Sequence, residues 1–256
     1  MRHLIVIFFA CLMAGPAAPN CVVLLHGLAR TEASFALMET ALEAEGFTVV
    51  RPGYASTKST IPELADDTLP QAVAQCPTGP IHFVTHSMGG ILVREWLNRN
   101  RPVNLGRVVM LAPPNQGSEV IDTFAGIYLF DQINGPAALQ LGTGDQSLPL
   151  ALPAVDYPVG VIAGNQSLNV YLSAILPGSD DGKVSVQSTV VKGMKDHIVL
   201  PVTHTFMMNN PRVITETLVF LRTGAFDPSI SWADALLERL GCEGGDCLKG
   251  KRDVER

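Results

Sequence analysis

Ile81-His82-Phe83-Val84-Thr85-His86-Ser87-Met88-Gly89-Gly90, running directly into Ile91-Leu92-Val93-Arg94-Glu95-Trp96-Leu97, is the stretch on which the reading of this chain turns. An apolar run of strand length stops at a serine, and a segment with helical period starts at the next residue. A serine at such a junction occupies a sharp, strained turn with its hydroxyl pushed clear of the sheet. Small residues two places before and two places after it let strand and helix pack closely. Gly89 supplies the later one; the earlier one is Thr85, a departure from the G-x-S-x-G pattern. A helix starting at Met88 aims its first backbone N–H groups at negative charge. The Met88 amide is therefore the expected donor to an oxyanion formed at Ser87.

Working upstream, Val22-Val23-Leu24-Leu25 leads into His26-Gly27-Leu28, sixty residues before Ser87 when counted from Gly27. Gly27 permits a tight bend, and the Leu28 amide is the expected second donor. His26 and Gly27 support that loop. Taken alone, the same residues fit an ordinary strand-to-turn glycine with a structural histidine.

Downstream, the serine needs a general base, and the base needs an orienting carboxylate. Two histidines follow Ser87. His204 lies in a loop ahead of a helical segment and can reach back over a sheet edge. His197 lies beside Ile198-Val199-Leu200, where a surface or strand position is expected. For the acid, Ser179-Asp180-Asp181-Gly182-Lys183-Val184 offers Asp181, followed by a glycine turn, with Asp180 as runner-up. A solvated Asp-Asp turn or a pair of calcium ligands is the plainer reading of that segment. Asp156 comes too early in the chain, and Asp196 lacks turn chemistry.

Around these points, short apolar runs alternate with stretches of helical period, the pattern of a parallel sheet covered on both faces. Strands are expected at 21–25, 47–50, 81–85, 107–111 and 159–163. Helices are expected at 32–45, 62–75, 88–100, 212–221 and 232–240, with Gly224 and Gly241 placed to end the last two. Residues 125–157 are rich in Gly, Pro, Leu and Ala without a clean period, which suggests an insertion over the site, a lid in effect.

The 256 residues suffice for one large α/β domain, and 47% hydrophobic residues supply a two-sided core. The net charge of −6, without a clustered basic face, excludes a phosphate-backbone binder and hence a nucleic-acid partner. Residues 1–18 have the form of a signal peptide: a short positive start, an apolar run, then small residues. The expected organisation is that signal, a domain over 19–241, and a cysteine-containing tail over 242–256, in a protein exported to the periplasm or medium. Removing the signal removes Cys11 and leaves Cys21, Cys76, Cys242 and Cys247. Of three possible pairings, Cys21 with Cys76 and Cys242 with Cys247 is favoured.

The collinear set His26-Gly27-Leu28, Thr85-His86-Ser87-Met88-Gly89-Gly90, Leu111-Ala112-Pro113-Pro114-Asn115-Gln116-Gly117-Ser118, Asp181-Gly182-Lys183-Val184 and His204 resembles the lipase and esterase branch of the α/β-hydrolases, triacylglycerol lipase-like bacterial enzymes most of all. The resemblance implies an α/β-hydrolase fold with a mostly parallel sheet, reduced N-terminal strands and helices on both faces. It implies the triad Ser87, Asp181 and His204, with oxyanion donors Leu28 and Met88. The 114–117 segment is similar to the T-P-x-x-G stretch of such lipases, near the acyl pocket. Some relatives bind calcium, but no full ligand set matches here, and no cofactor or metal is expected. The expected activity is cleavage of a carboxylic ester, with an aliphatic acyl chain favoured over a charged substrate and transient contact with lipid surfaces. A thioesterase or acyltransferase would use the same triad, and a non-catalytic binding protein on this scaffold is the more distant alternative.

Overall fold

The computed structural model describes residues 20–239. The expected signal peptide, the tail and the Cys242–Cys247 pair lie outside the described residues. Six strands form one sheet in the order β2-β1-β3-β4-β5-β6, every neighbouring pair parallel. They are β1 (Cys21–Leu25), β2 (Thr48–Val50), β3 (Ile81–His86), β4 (Leu105–Leu111), β5 (Val159–Gly164) and β6 (Asp196–Leu200). The helices are α1 (Ala36–Ala44), α2 (Ile61–Ala74), α3 (Met88–Arg99), α4 (Glu119–Phe124), α5 (Tyr128–Leu139), α6 (Leu148–Ala151), α7 (Val170–Ser173), α8 (Pro211–Thr223) and α9 (Trp232–Arg239).

Successive strand residues point to opposite faces, and here both faces are covered. Cys21, Val23 and Leu25 join the core with Ile61 and Leu69 of α2 and Ile91 and Leu92 of α3. Val22 and Leu24 join a second core with Met38 and Leu42 of α1 and Val213 and Leu218 of α8. This two-sided burial explains why β1 reads as an unbroken apolar run rather than an alternating one.

Strand order reverses between β1 and β3, because β2 lies on one side of β1 and β3 on the other. Loops leaving the carboxyl ends of those two strands diverge, and a crevice opens between them. The 26–30 loop and Ser87 both stand there. Cys21 and Cys76 form the expected disulfide, with Cα atoms 5.6 Å apart. It joins the start of β1 to the segment just after α2.

Two expectations are sharpened. The surface or strand position expected for His197 resolves as a strand, β6, absent from the five expected by pattern because Asp196 and His197 interrupt its apolar run; Asp196 accepts hydrogen bonds from the His197 and Phe226 amides. Residues 125–157 are not irregular throughout, since they carry α5 and α6. The period was obscured by a kink at Gly135, whose φ of 71° only glycine adopts readily. A Cβ at Gly135 would overlap the Thr57 carbonyl, so α5 is seated on the 55–60 loop at that point. Among the described residues no helix is long and apolar enough to cross a membrane.

Candidate active site

Ser87 links β3 to α3 with φ 54° and ψ −124°, a region that non-glycine residues rarely occupy. The conformation is over-determined by its surroundings. The Ser87 amide donates to Leu111 O of β4 at 2.8 Å. A Cβ at Gly89 would lie 2.5 Å from Leu25 O and 2.8 Å from His26 O, so only hydrogen fits where α3 crosses the end of β1. A Cβ at Gly27 would lie 2.9 Å from His86 Nδ1 and 3.1 Å from Ser87 Cβ. Thr85, which stands where glycine was expected, is accommodated by Gly90 instead: a Cβ at Gly90 would lie 3.3 Å from Thr85 Oγ1. The second glycine of Gly89-Gly90 thus supplies the room that the pattern normally finds before the serine.

The predicted acid and base meet. His204 Nδ1–H donates to Asp181 Oδ2 at 2.7 Å, and both side chains are buried. Asp181 Oδ1 accepts from the Lys183 and Val184 amides at 3.0 and 2.8 Å. The His204 amide donates to Asp181 O at 3.0 Å, so the two residues are tied through backbone and side chain together. With Nδ1 committed to the carboxylate, Nε2 has no protein partner among the described residues and faces the cleft that Ser87 also lines. Ser87 Oγ makes no hydrogen bond to His204 among the described residues; the two side chains meet as walls of one cleft.

Asp180 plays a different part. Its carboxylate accepts from Ser173 Oγ at 2.8 Å and the Gly182 amide at 2.7 Å, holding the turn beneath Asp181. Among the described residues no group of three or more His, Cys, Asp or Glu side chains is gathered here. His197 Nε2 pairs with Thr189 Oγ1 at 2.9 Å in β6, away from the cleft.

The 26–30 loop is shaped by packing of its own. His26 stacks on Tyr54 with ring centroids 3.9 Å apart, and the Tyr54 hydroxyl donates to His26 O. Burial holds His26 below the ordinary histidine pKa, which keeps the stacked ring neutral. Ala29 has φ 53° and donates its amide to Ser56 Oγ at 3.0 Å. Leu28 lines the cleft, and its amide has no acceptor among the described residues. Met88 opens α3, where a first-turn N–H has no intrahelical partner.

Sequence reasoning missed two contributors. His86, buried beside the serine, donates from Nε2 to His204 O at 2.9 Å, with the two rings 4.7 Å apart. Since a carbonyl only accepts, the His86 proton is on Nε2. Burial and the neighbouring His204 push His86 well below the ordinary histidine range. Arg94 is a buried cation on α3 that donates to Asn115 Oδ1 at 3.0 Å and to Leu152 O and Pro153 O at 3.3 Å. It fastens the 112–118 loop to the end of the 125–157 segment. The available signal was a charge within an otherwise apolar helix, which must find partners; nothing in the sequence marked His86.

The cleft holds about 290 Å³ and has Val120, Ile121, Phe124, Phe130 and Leu141 as its apolar wall. Pro114 and Ser118 of the T-P-x-x-G-like segment also line it.

A sequence model described as the alpha/beta hydrolase family matches residues 22–215. No curated protein matches the chain in sequence. Among solved structures, the mature lipase BlEst2 of Bacillus licheniformis is similar at 19% identity and a TM-score of 0.64, over 81% of this chain and 93% of that one. The chain spans about half of the propeptide form of that lipase, 52%. The metagenomic carboxyl esterase MGS0156 is similar at 18% identity and a TM-score of 0.60, over 89% of this chain and 75% of that one. Phospholipase PlaB from Legionella pneumophila is similar at 19% identity and a TM-score of 0.60, over 88% of this chain and 63% of that one.

Proposed function

For a chain that belongs to the alpha/beta hydrolase family, we propose the activity of a serine hydrolase that cleaves carboxylic esters, in the lipase and esterase branch, through an acyl-enzyme intermediate. The observation that carries this reading is the His204–Asp181 pair, 2.7 Å apart and buried, opening onto the cleft that holds the strained Ser87.

His204 Nε2 takes the proton of Ser87 Oγ as that oxygen attacks the ester carbonyl carbon. The Leu28 and Met88 amides receive the charge that develops on the carbonyl oxygen. Asp181 fixes the imidazole tautomer and offsets the charge it gains. As the tetrahedral intermediate collapses, the C–O bond to the alcohol breaks and His204 returns the proton to the leaving oxygen. Water, deprotonated by His204, then attacks the acyl carbon and frees Ser87. His86 acts as a positioning residue, because its bond to His204 O steadies the turn that carries the base.

The apolar wall suits an aliphatic acyl chain, and α5, which supplies Phe130 and Asn134 to the cleft, forms the roof of a partial lid. The Cys21–Cys76 bridge supports export into an oxidising compartment. The test is hydrolysis of nitrophenyl esters by wild type and Ser87→Ala, with folding checked by circular dichroism. A loss of several powers of ten is expected; retained hydrolysis would remove Ser87 from the mechanism.

A further inference from the structure

The cleft contains two cations that the ester mechanism leaves unused, and among the described residues no carboxylate side chain lines it. Arg30 follows the 26–29 turn. Among the described residues its guanidinium makes one hydrogen bond, to Thr205 O at 2.8 Å, out of the five that the group can donate. Lys183 lies exposed in the turn after Asp181, and its ammonium makes no hydrogen bond or ion pair among the described residues. Neither cation has a carboxylate within ion-pair distance among the described residues. The charged groups that act on Lys183 are Arg30, which repels it, and Asp181. Asp181 is already committed to two amides and to His204.

Two like charges facing one partly desolvated cleft are unfavourable until an anion arrives. Their placement says which end of a substrate that anion belongs to. Arg30 belongs to the 26–30 loop, but its guanidinium is anchored to the residue after His204, and Lys183 is two residues from Asp181, so both charges stand beside the turn system that carries the base. Most of the apolar wall comes instead from α4, α5 and the residues that follow, Val120, Phe124, Phe130 and Leu141 among them, with Leu28, Leu172 and Val184 nearer the cations. In hydrolysis, the leaving oxygen is the one that receives the His204 proton.

We propose that Arg30 and Lys183 form an anion-binding subsite, and that the substrate is an ester with an apolar acyl group whose alcohol half bears a phosphate or carboxylate. This rests on the esterase reading above. It restricts the expected preference for uncharged aliphatic substrates to the acyl half. Reaction breaks the acyl C–O bond, the alcohol oxygen takes the proton from His204, and the anion leaves with the alcohol unchanged.

The test compares matched octanoyl esters in the full-length protein. 2-Nitrophenyl octanoate is set against its leaving-group carboxylate analogue, 3-octanoyloxy-4-nitrobenzoate. Monooctanoylglycerol is set against 1-octanoylglycerol 3-phosphate. Wild type is expected to favour the anionic member of at least one pair by about tenfold in kcat/KM, the size of one charge-assisted contact. Which pair shows it identifies the anion. Arg30→Gln/Lys183→Gln should abolish the ratio, and Lys183→Gln alone, at an exposed side chain without partners, should reduce it. Wild type without a preference for either anion, or a double variant that keeps the ratio, would overturn the subsite.

A binding experiment separates the two readings. Calorimetry on Ser87→Ala should show octyl phosphate or 4-octyloxybenzoate binding about tenfold more tightly than octyl glucoside, with the difference lost when Arg30→Gln/Lys183→Gln is added. Binding of this kind without hydrolysis of any ester would sink the esterase reading and keep the subsite. Ser87-dependent hydrolysis without discrimination would do the reverse, and neither binding nor discrimination overturns the subsite.

Discussion

Ser87 and Asp181 show two ways in which a single residue is held in a costly state by its neighbours. The serine keeps a positive φ because Gly27, Gly89 and the Leu111 carbonyl leave it one position. Asp181 remains buried because three donors satisfy it, two amides on one oxygen and the His204 imidazole on the other. Asp181→Asn preserves the shape but lets the side-chain amide present a donor to Nδ1, which favours the wrong imidazole tautomer. We expect kcat on a nitrophenyl ester to fall by about 10⁴-fold with little change in KM, as in other Ser-His-Asp sets; steady-state kinetics on the variant check this. At this scale the residues of the candidate site were legible as types and positions. Asp181 is preferred over Asp180 in the sequence because Gly182 follows it; in the structure Asp181 contacts the imidazole and Asp180 lies inside the turn. Thr85 broke the expected pattern, and the compensation lay five residues later at Gly90, where only the packing of α3 against β3 reveals it. Arg30 and Lys183 were passed over because nothing local distinguishes an unpartnered cation from a solvated one.

The elements were legible where packing agrees with local period. β1 was read to the residue, and Asn210, Pro211 and Gly224 bound α8 through a side-chain cap, a fixed φ and a left-handed stop. Reading failed where chain and fold disagree locally: at β6, whose polar first residues answer to neighbours distant in sequence, and at α5, whose kink at Gly135 exists to meet Thr57. The disulfide ties such a pair of elements together. It closes a separation of 55 residues between the start of β1 and the end of the α2 segment, and cross-links of that length stabilise by about 2–4 kcal/mol through the unfolded chain. Cys21→Ala/Cys76→Ala should therefore lower the urea midpoint measurably and steepen the transition, because the chain without the bridge unfolds to a more open ensemble. An unaltered midpoint would mean that the bridge contributes no stability.

The molecule as a whole places the proposed site where strand order reverses. Ser87 leaves β3, Leu28 leaves β1 and His204 follows β6, so residues far apart in sequence converge because parallel strands bring their carboxyl ends to one edge. The same burial that shapes this edge sets the response to acid. His26, His82 and His86 are buried, and burial lowers the pKa of each, His82 to about 4. The unfolded chain takes up these protons near pH 6.5 and the folded one only at lower pH. Their contribution to stability is thus complete above about pH 6.5 and is lost as the pH falls toward 4. Urea midpoints should decline steadily from pH 7.5 to 5; a flat profile would contradict the burial of these rings as neutral groups. The most direct measurement concerns the serine itself. The protein is treated with a fluorophosphonate and the adduct located by peptide mass spectrometry, with His204→Ala alongside. One adduct on Ser87, nearly absent from the variant, is the expected result; an adduct on another residue, or none on protein that hydrolyses esters, would contradict the claim that His204 and Asp181 activate Ser87.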